Sequence, residues 1–457
     1  MRKANLRMKK KTFSFVLITA AVIFAVGSII LGSREHVQQG YGVVLSFGIN
    51  IAVFFILLMA SIKRYTYSFD MMLWLFSLFF FGFAPLLQFF TGIYSWGMKP
   101  TQTEIIRTNV LILLFSICIC CGKRIRVKVK RKKTAECNYY IKKDRLRIYL
   151  VISFLIMLYY LYAVGFKNML ISATNVNENL NSTMGMLVSH GFKNISLFTA
   201  VLYVMKCKET KRVDVEAVLA LIIFFISCFP TGLSRNMMGS FYGGLLLLFF
   251  DKKRDKRWLT YAIIFGLILV FPAANVFRNA ATMSGGSFSE LVLSNIQNTY
   301  LEAHYDAHQM FISAQQYVSK FGFSYGYQLL GVLLFFVPRS VWSTKPYGTG
   351  QMIFEALQQH WFTNVSMPLV AEAFVNFGIA GIVVFGLVVG CIVNRVDEKF
   401  WKDRRAFSFT KVLYPFIMLK FFFMLRGDLL SSWAYMFAQL VVGYAMLKFA
   451  TKRKLRG

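Results

Sequence analysis

MRKANLRMKKK (Met1–Lys11), followed without a break by TFSFVLITAAVIFAVGSIIL (Thr12–Leu31), is the stretch that decides the fold: six Lys and Arg, then twenty residues without a charge. A helix of about 20 apolar residues covers roughly 30 Å, the thickness of a bilayer's hydrocarbon core. A secretory signal peptide opens in the same way but has a shorter apolar core, so this run reads as a first span that is kept. The same alternation of basic cluster and apolar run continues to the end of the chain. Later runs fall near 41–62, 69–92, 103–122, 148–166, 187–205, 213–230, 236–250, 258–276, 366–394, 408–426 and 431–449. Lipid offers the backbone no hydrogen-bond partner, so such runs must be helices. The expectation is an all-α integral membrane protein of about 12 transmembrane helices.

Composition agrees. The 457 residues are 57% hydrophobic and 16% charged, more apolar surface than a soluble chain of this length can bury. A formal charge of +32 would suggest nucleic acid in a soluble protein. Here the Lys and Arg sit in short clusters between apolar runs, which is how a membrane protein fixes its orientation. No nucleic-acid partner is implied; the lipid bilayer is. None of the seven cysteines falls in 277–365, so no disulfide framework is expected there, and Cys120-Cys121 reads as helix packing.

With the N-terminus in the cytoplasm, the loops that should face inward hold 40 of the 52 Lys and Arg. That asymmetry sets the topology, with both termini cytoplasmic. The chain then divides into 1–276 (nine spans with basic inner loops), 277–365 (one large outer loop) and 366–457 (three spans and a basic tail). The loop carries 4 basic and 4 acidic residues, so charge is not its purpose. Within it Ser289 to Ser319 reads as helical. Tyr327 to Val337 is too short to span and ends at Pro338, so an interfacial or re-entrant helix is expected.

Arginine is scarce on the expected outer side, and each instance there is informative. Arg235 lies in the turn Thr231-Gly232-Leu233-Ser234-Arg235-Asn236. Arg278 follows the ninth span, and Arg426 ends the eleventh, two residues before Asp428. Arg339 and Lys345 share Pro338-Arg339-Ser340-Val341-Trp342-Ser343-Thr344-Lys345-Pro346. Guanidinium groups fixed at one membrane face suit a phosphate-bearing lipid headgroup, because the planar fork takes phosphate oxygens two at a time. The plainer reading is that they reach up to ordinary phospholipid.

Among acids, Glu372 stands out in Met367-Pro368-Leu369-Val370-Ala371-Glu372-Ala373-Phe374-Val375-Asn376-Phe377-Gly378. An ionisable residue inside a span faces a cavity or a partner. It is either a general base or half of a buried ion pair, and Lys420 in the eleventh span is a candidate partner. In Glu302-Ala303-His304-Tyr305-Asp306-Ala307-His308, helical spacing would put His304 and His308 on one face. The Glu that a zinc-protease motif needs does not follow the first His, so a solvated face or a base is favoured over a metal site. Gly378, Gly381, Gly386 and Gly390 give small faces for close helix packing.

Three of these stretches carry a family resemblance. Val337-Pro338-Arg339-Ser340-Val341-Trp342 with Lys345-Pro346, Ala371-Glu372-Ala373-Phe374-Val375-Asn376-Phe377-Gly378-Ile379-Ala380-Gly381, and Leu425-Arg426-Gly427-Asp428 together resemble the bacterial O-antigen and capsule repeat-unit polymerases, the Wzy-type enzymes. Arg339 and Gly350 also match the Arg and Gly, ten residues between them, described for some members. The first 200 residues resemble the family only in hydropathy. The resemblance implies a GT-C-like glycosyltransferase of the bacterial cytoplasmic membrane. It would move a glycan from undecaprenyl pyrophosphate onto the sugar of another lipid-linked repeat unit, with no metal or cofactor. Arg339, Arg235, Arg278, Arg426 and Lys345 would then hold pyrophosphate, with Glu372 first and His304 second as base. A chain-length regulator and a flippase would be partners. Two other functions stay open on the residues alone: a lipid-linked glycan flippase or other transporter, and an O-antigen ligase-like enzyme.

Overall fold

Long apolar runs become helices here because, inside lipid, only bonds within the segment satisfy the backbone. The computed structural model describes residues 40–125, 138–165, 191–249, 258–266, 300–301, 303–357, 365–403 and 407–454. Its helices are α1 (Tyr41–Arg64), α2 (Phe69–Thr91, with a π-turn at Phe79–Phe83), α3 (Gln102–Arg124), α4 (Lys143–Val164), α5 (Lys193–Thr210), α6 (Val215–Ser227), α7 (Arg235–Leu248) and α8 (Trp258–Phe265). After these come α9 (Ala307–Phe321), α10 (Tyr327–Leu333), α11 (Thr349–Ala356), α12 (Leu369–Lys402), α13 (Phe409–Arg426) and α14 (Leu429–Ala450). Each expected span except 12–31, which lies outside the described residues, contains a helix. Six of them, α1, α2, α3, α4, α12 and α14, are long and apolar enough to cross a membrane.

Glycine sets the tightest packing. A Cβ on Gly390 would fall 2.1 Å from the Ile119 carbonyl oxygen, and one on Gly386 would fall 2.6 Å from Cys118 Cβ. Gly122 answers from α3 against Leu387. The small-residue face expected on the tenth span therefore joins α12 to α3, side by side and parallel. A second layer, α4 to α7, packs with α13 and α14 around Phe198, Tyr203, Phe241 and Phe416.

One end of the bundle, the basic end, is stitched by Asp397. Its carboxylate accepts from Phe69 N at 2.9 Å, Asp70 N at 3.2 Å and Tyr414 OH at 2.5 Å, so it caps α2 from another helix. Lys123 Nζ lies 2.7 Å from Asp70 Oδ2. At the same end β1 (Asn138–Ile141) pairs antiparallel with β2 (Thr451–Lys454), Ile141 opposite Thr451.

The other end, the loop end, carries α9, α10 and α11. Two expectations change there. Ala303–Tyr305 is a 3-10 turn and α9 begins only at Ala307, so His304 and His308 do not share a helix face. The cause is Asp306, whose carboxylate is taken by Trp96 and the Ser366 amide instead of capping its own helix. Likewise α10 stops at Leu333 rather than Val337. Lys345 Nζ draws the carbonyls of Phe335 (2.5 Å) and Val337 (2.8 Å) out of the helical ladder, and Pro338 cannot extend it.

Candidate functional site

Glu372 sits in a helical segment that ends sooner than its apolar sequence suggests. Within α12 the backbone leaves helical geometry at Phe377 (φ −144°) and at Gly378 (φ 60°, ψ −141°). A side chain at Gly378 would be strained by that φ and would meet the Phe323 ring at 2.9 Å. The segment before the break, Leu369 to Asn376, is buried throughout, and Ser324 N donates to the Val375 carbonyl at 2.9 Å. The break itself borders exposed residues, Phe377 on one side and Ile379 on the other.

The Glu372 carboxylate is 1% exposed. Oε2 accepts from Thr349 Oγ1 at 2.8 Å, and Oε1 accepts from Leu429 N at 3.0 Å. Neither Lys420 nor any arginine of the described residues pairs with it. Lys420 instead holds its amine 5.6 Å from the ring centre of Tyr435. Asn376 donates to the Glu372 carbonyl at 2.9 Å, and its own Oδ1 is buried without a partner among the described residues.

A second carboxylate, Asp428, directly precedes Leu429, whose amide holds Glu372 Oε1. Asp428 is the N-cap of α14 and accepts from Ser431 N at 3.1 Å. The amides of Thr349 and Gly350, at the start of α11, also stabilise its charged form. Burial outweighs these amides and pushes the Asp428 carboxyl above the usual range. Two helix N-termini thus converge on two carboxylates. Contact is close, since a Cβ on Gly348 would fall 2.7 Å from Asp428 Oδ2.

Beside the pair, Arg426 Nη2 lies 3.6 Å from Asp306 Oδ1 and donates to the Ala303 carbonyl at 3.2 Å. Asp306 is fully buried, whereas the Arg426 side chain is 28% exposed, so the guanidinium is anchored on one side and open on another. Trp96, held at φ 62°, donates to Asp306 Oδ2 at 2.9 Å. His304 sits half-buried in the adjacent 3-10 turn. His308, in the first turn of α9, is buried 3.1 Å from Asn109 Oδ1, and burial lowers its imidazole to about 3.

Arg339 is farther out and occupied. Nη1 donates to Lys345 O at 2.5 Å and Nη2 to Pro346 O at 3.1 Å, with the guanidinium carbon 3.9 Å from the Tyr347 ring centre. Burial, then Arg339 itself, lowers the Lys345 amine below the usual lysine value. The clamp closes the loop that leads into Gly348 and α11. Arg235 opens α7, capped by Ser234. Arg278 lies outside the described residues. Sequence reasoning thus found Glu372 and Arg426, which meet at one end. It passed over Thr349, Asp306 and the pairing role of Asp428. A capping signal at Asp428-Leu429-Leu430-Ser431 was the one available hint.

The family model described as O-antigen polysaccharide polymerase Wzy matches residues 12–454, nearly the whole chain. The chain belongs to that family. No curated protein and no solved structure matches it. As a Wzy polymerase it is a membrane-embedded, glycosyltransferase-type enzyme that joins lipid-linked oligosaccharide repeat units into polysaccharide. All three stretches that suggested the family meet in the Wzy structure at the loop end, with Arg426, Asp428, Glu372 and the Arg339 loop in one assembly.

Proposed function

We propose that the loop end faces outward from the bacterial cytoplasmic membrane, in a topology of about twelve spans, and that polymerisation takes place there around Glu372. The donor is a glycan on undecaprenyl pyrophosphate, and the acceptor is the sugar of a second lipid-linked repeat unit. The acceptor hydroxyl attacks the donor's anomeric carbon, its proton passes to Glu372, and the bond to undecaprenyl pyrophosphate breaks. The observation that carries this is a buried carboxylate held by two neutral donors, Thr349 and Leu429, with no cation among the described residues to satisfy it. A carboxylate has about four lone-pair sites, so two remain for a substrate hydroxyl. The Gly348-Thr349-Gly350 turn covers the carboxylate and moves aside as substrate binds. His304, in the turn beside Asp306, is the second candidate for the base.

Negative charge builds on the departing pyrophosphate, and fixed cations offset it. Arg426 is best placed, anchored by Asp306 with one side open. Arg339, Lys345 and Arg278 complete the cationic surround, and Arg235 is a further cation for substrate pyrophosphate. A chain-length regulator and a flippase are the expected partners of such an enzyme. Glu372→Gln, expressed in the native host at unchanged membrane level, is the test. Loss of the glycan ladder by about a hundredfold or more, with single repeat units accumulating on lipid, is expected for a lost general base. A full ladder would remove Glu372 from the mechanism.

A further inference from the structure

A buried amine without a counter-charge lies away from the carboxylates. Lys193, the first residue of α5, is 5% exposed. Its Nζ donates to Gly232 O at a long 3.3 Å and stands 5.4 Å from the Tyr160 ring centre. No carboxylate of the described residues is within ion-pair distance. A buried ammonium is costly unless something negative meets it.

Around it polar groups are left over. Ser196 Oγ, one turn along α5, and Ser227 Oγ, at the end of α6, are 1% and 3% exposed residues with no hydrogen-bond partner among the described residues. Buried Ser77 and Ser116, by contrast, bond to a carbonyl one turn back on their own helices. Ser227 adjoins Cys228, whose Sγ lies 3.7 Å from Lys193 O, so both helix ends meet at the lysine. Gly232 belongs to the 3-10 turn Pro230–Gly232, and Arg235 starts α7 three residues later.

The cluster lies towards the loop end, where α7 begins. α7 runs antiparallel to α13, with Gly239 against Phe423 and Gly243 against Leu419. Continued outward, that register puts Arg235 level with Gly427, between Arg426 and Asp428. The reaction needs two lipid-linked phosphates held at once, one on the donor and one on the acceptor, and a single cationic site serves only one.

We propose that Lys193 and Arg235 form a second phosphate site, which holds the pyrophosphate of one of the two lipid-linked substrates while Ser196 and Ser227 supply hydroxyl donors. The assignment to substrate rests on the proposed two-substrate reaction. The phosphate chemistry does not, since an anionic phospholipid offers the same group.

The test uses the full chain in phosphatidylcholine nanodiscs, with undecaprenyl pyrophosphate and phosphatidylglycerol as separate probes and binding read without turnover. Lys193→Met should weaken undecaprenyl pyrophosphate by about tenfold, the loss of one charged hydrogen bond, and Lys193→Arg should restore it. Phosphatidylglycerol should bind weakly and respond little. Equal binding and equal loss for phosphatidylglycerol would overturn the substrate assignment in favour of bulk lipid. Unchanged affinity for both probes in Lys193→Met would overturn the site. Should that variant fail to fold, Arg235→Gln provides the same readout from the other helix, with the same two outcomes. Glu372→Gln should bind both probes normally, so failure of the proposed base is told apart from failure of this site.

Discussion

Asp428 shows how much of the candidate site depends on one residue to which sequence alone gives no role. Glu372 was conspicuous because a charge interrupts an apolar run. Asp428 sits at a turn, where an acid is ordinary, and its meaning comes from α11 being folded against it. Burial raises its carboxyl above the usual value of about 4, so the folded chain holds that proton more tightly than the unfolded one. This contribution to stability is fully present below the unfolded value and is lost as pH rises through the folded one. Asp428→Asn should therefore flatten the fall in thermal midpoint as pH climbs from about 4 towards neutrality, with most of the gain at the upper end. Parallel pH profiles for the variant and the native chain would show that the carboxyl is not held in this way.

At the scale of elements, patterning located the helices but not their interruptions. Four glycines in α12 read alike in sequence, as places for close approach. Gly386 and Gly390 are that, pressed on α3, whereas Gly378 breaks the helix and frees the segment that carries Glu372. No local pattern separates those uses, because the difference lies in what packs opposite. The Arg339 loop makes the same point. A surface arginine with phosphate-binding geometry turns out to clamp two carbonyls and a tyrosine ring, and so sets where α11 begins. Arg339→Lys separates the two roles. Lysine keeps the charge but cannot bridge two carbonyls with a planar fork. If the clamp matters, Arg339→Lys should shorten the glycan ladder as severely as Arg339→Ala. A ladder close to native with Lys, and lost with Ala, would show that the charge of Arg339 matters and its clamp does not.

Over the whole molecule, the division into a basic end and a loop end was the part most legible in sequence. Hydropathy and the placement of Lys and Arg report directly on the bilayer, which acts on the chain residue by residue. The site depends on contacts between distant stretches, such as Glu372 with Thr349 and Arg426 with Asp306, which no local signal encodes. The two ends also differ in what they can do. The basic end spends its acids on caps and ion pairs, Asp397 on α2 and Asp70 on Lys123, while the loop end keeps Glu372 without a cation among the described residues. An outward loop end is therefore a condition of the proposed reaction. In a chain stripped of its seven cysteines, Ser343→Cys, exposed beside the Arg339 clamp, should react with an impermeant maleimide in intact cells. Lys452→Cys, exposed on the basic-end ribbon, should react only after permeabilisation. The opposite pattern would put the Glu372 assembly in the cytoplasm, and polymerisation on the outer face would have to be abandoned.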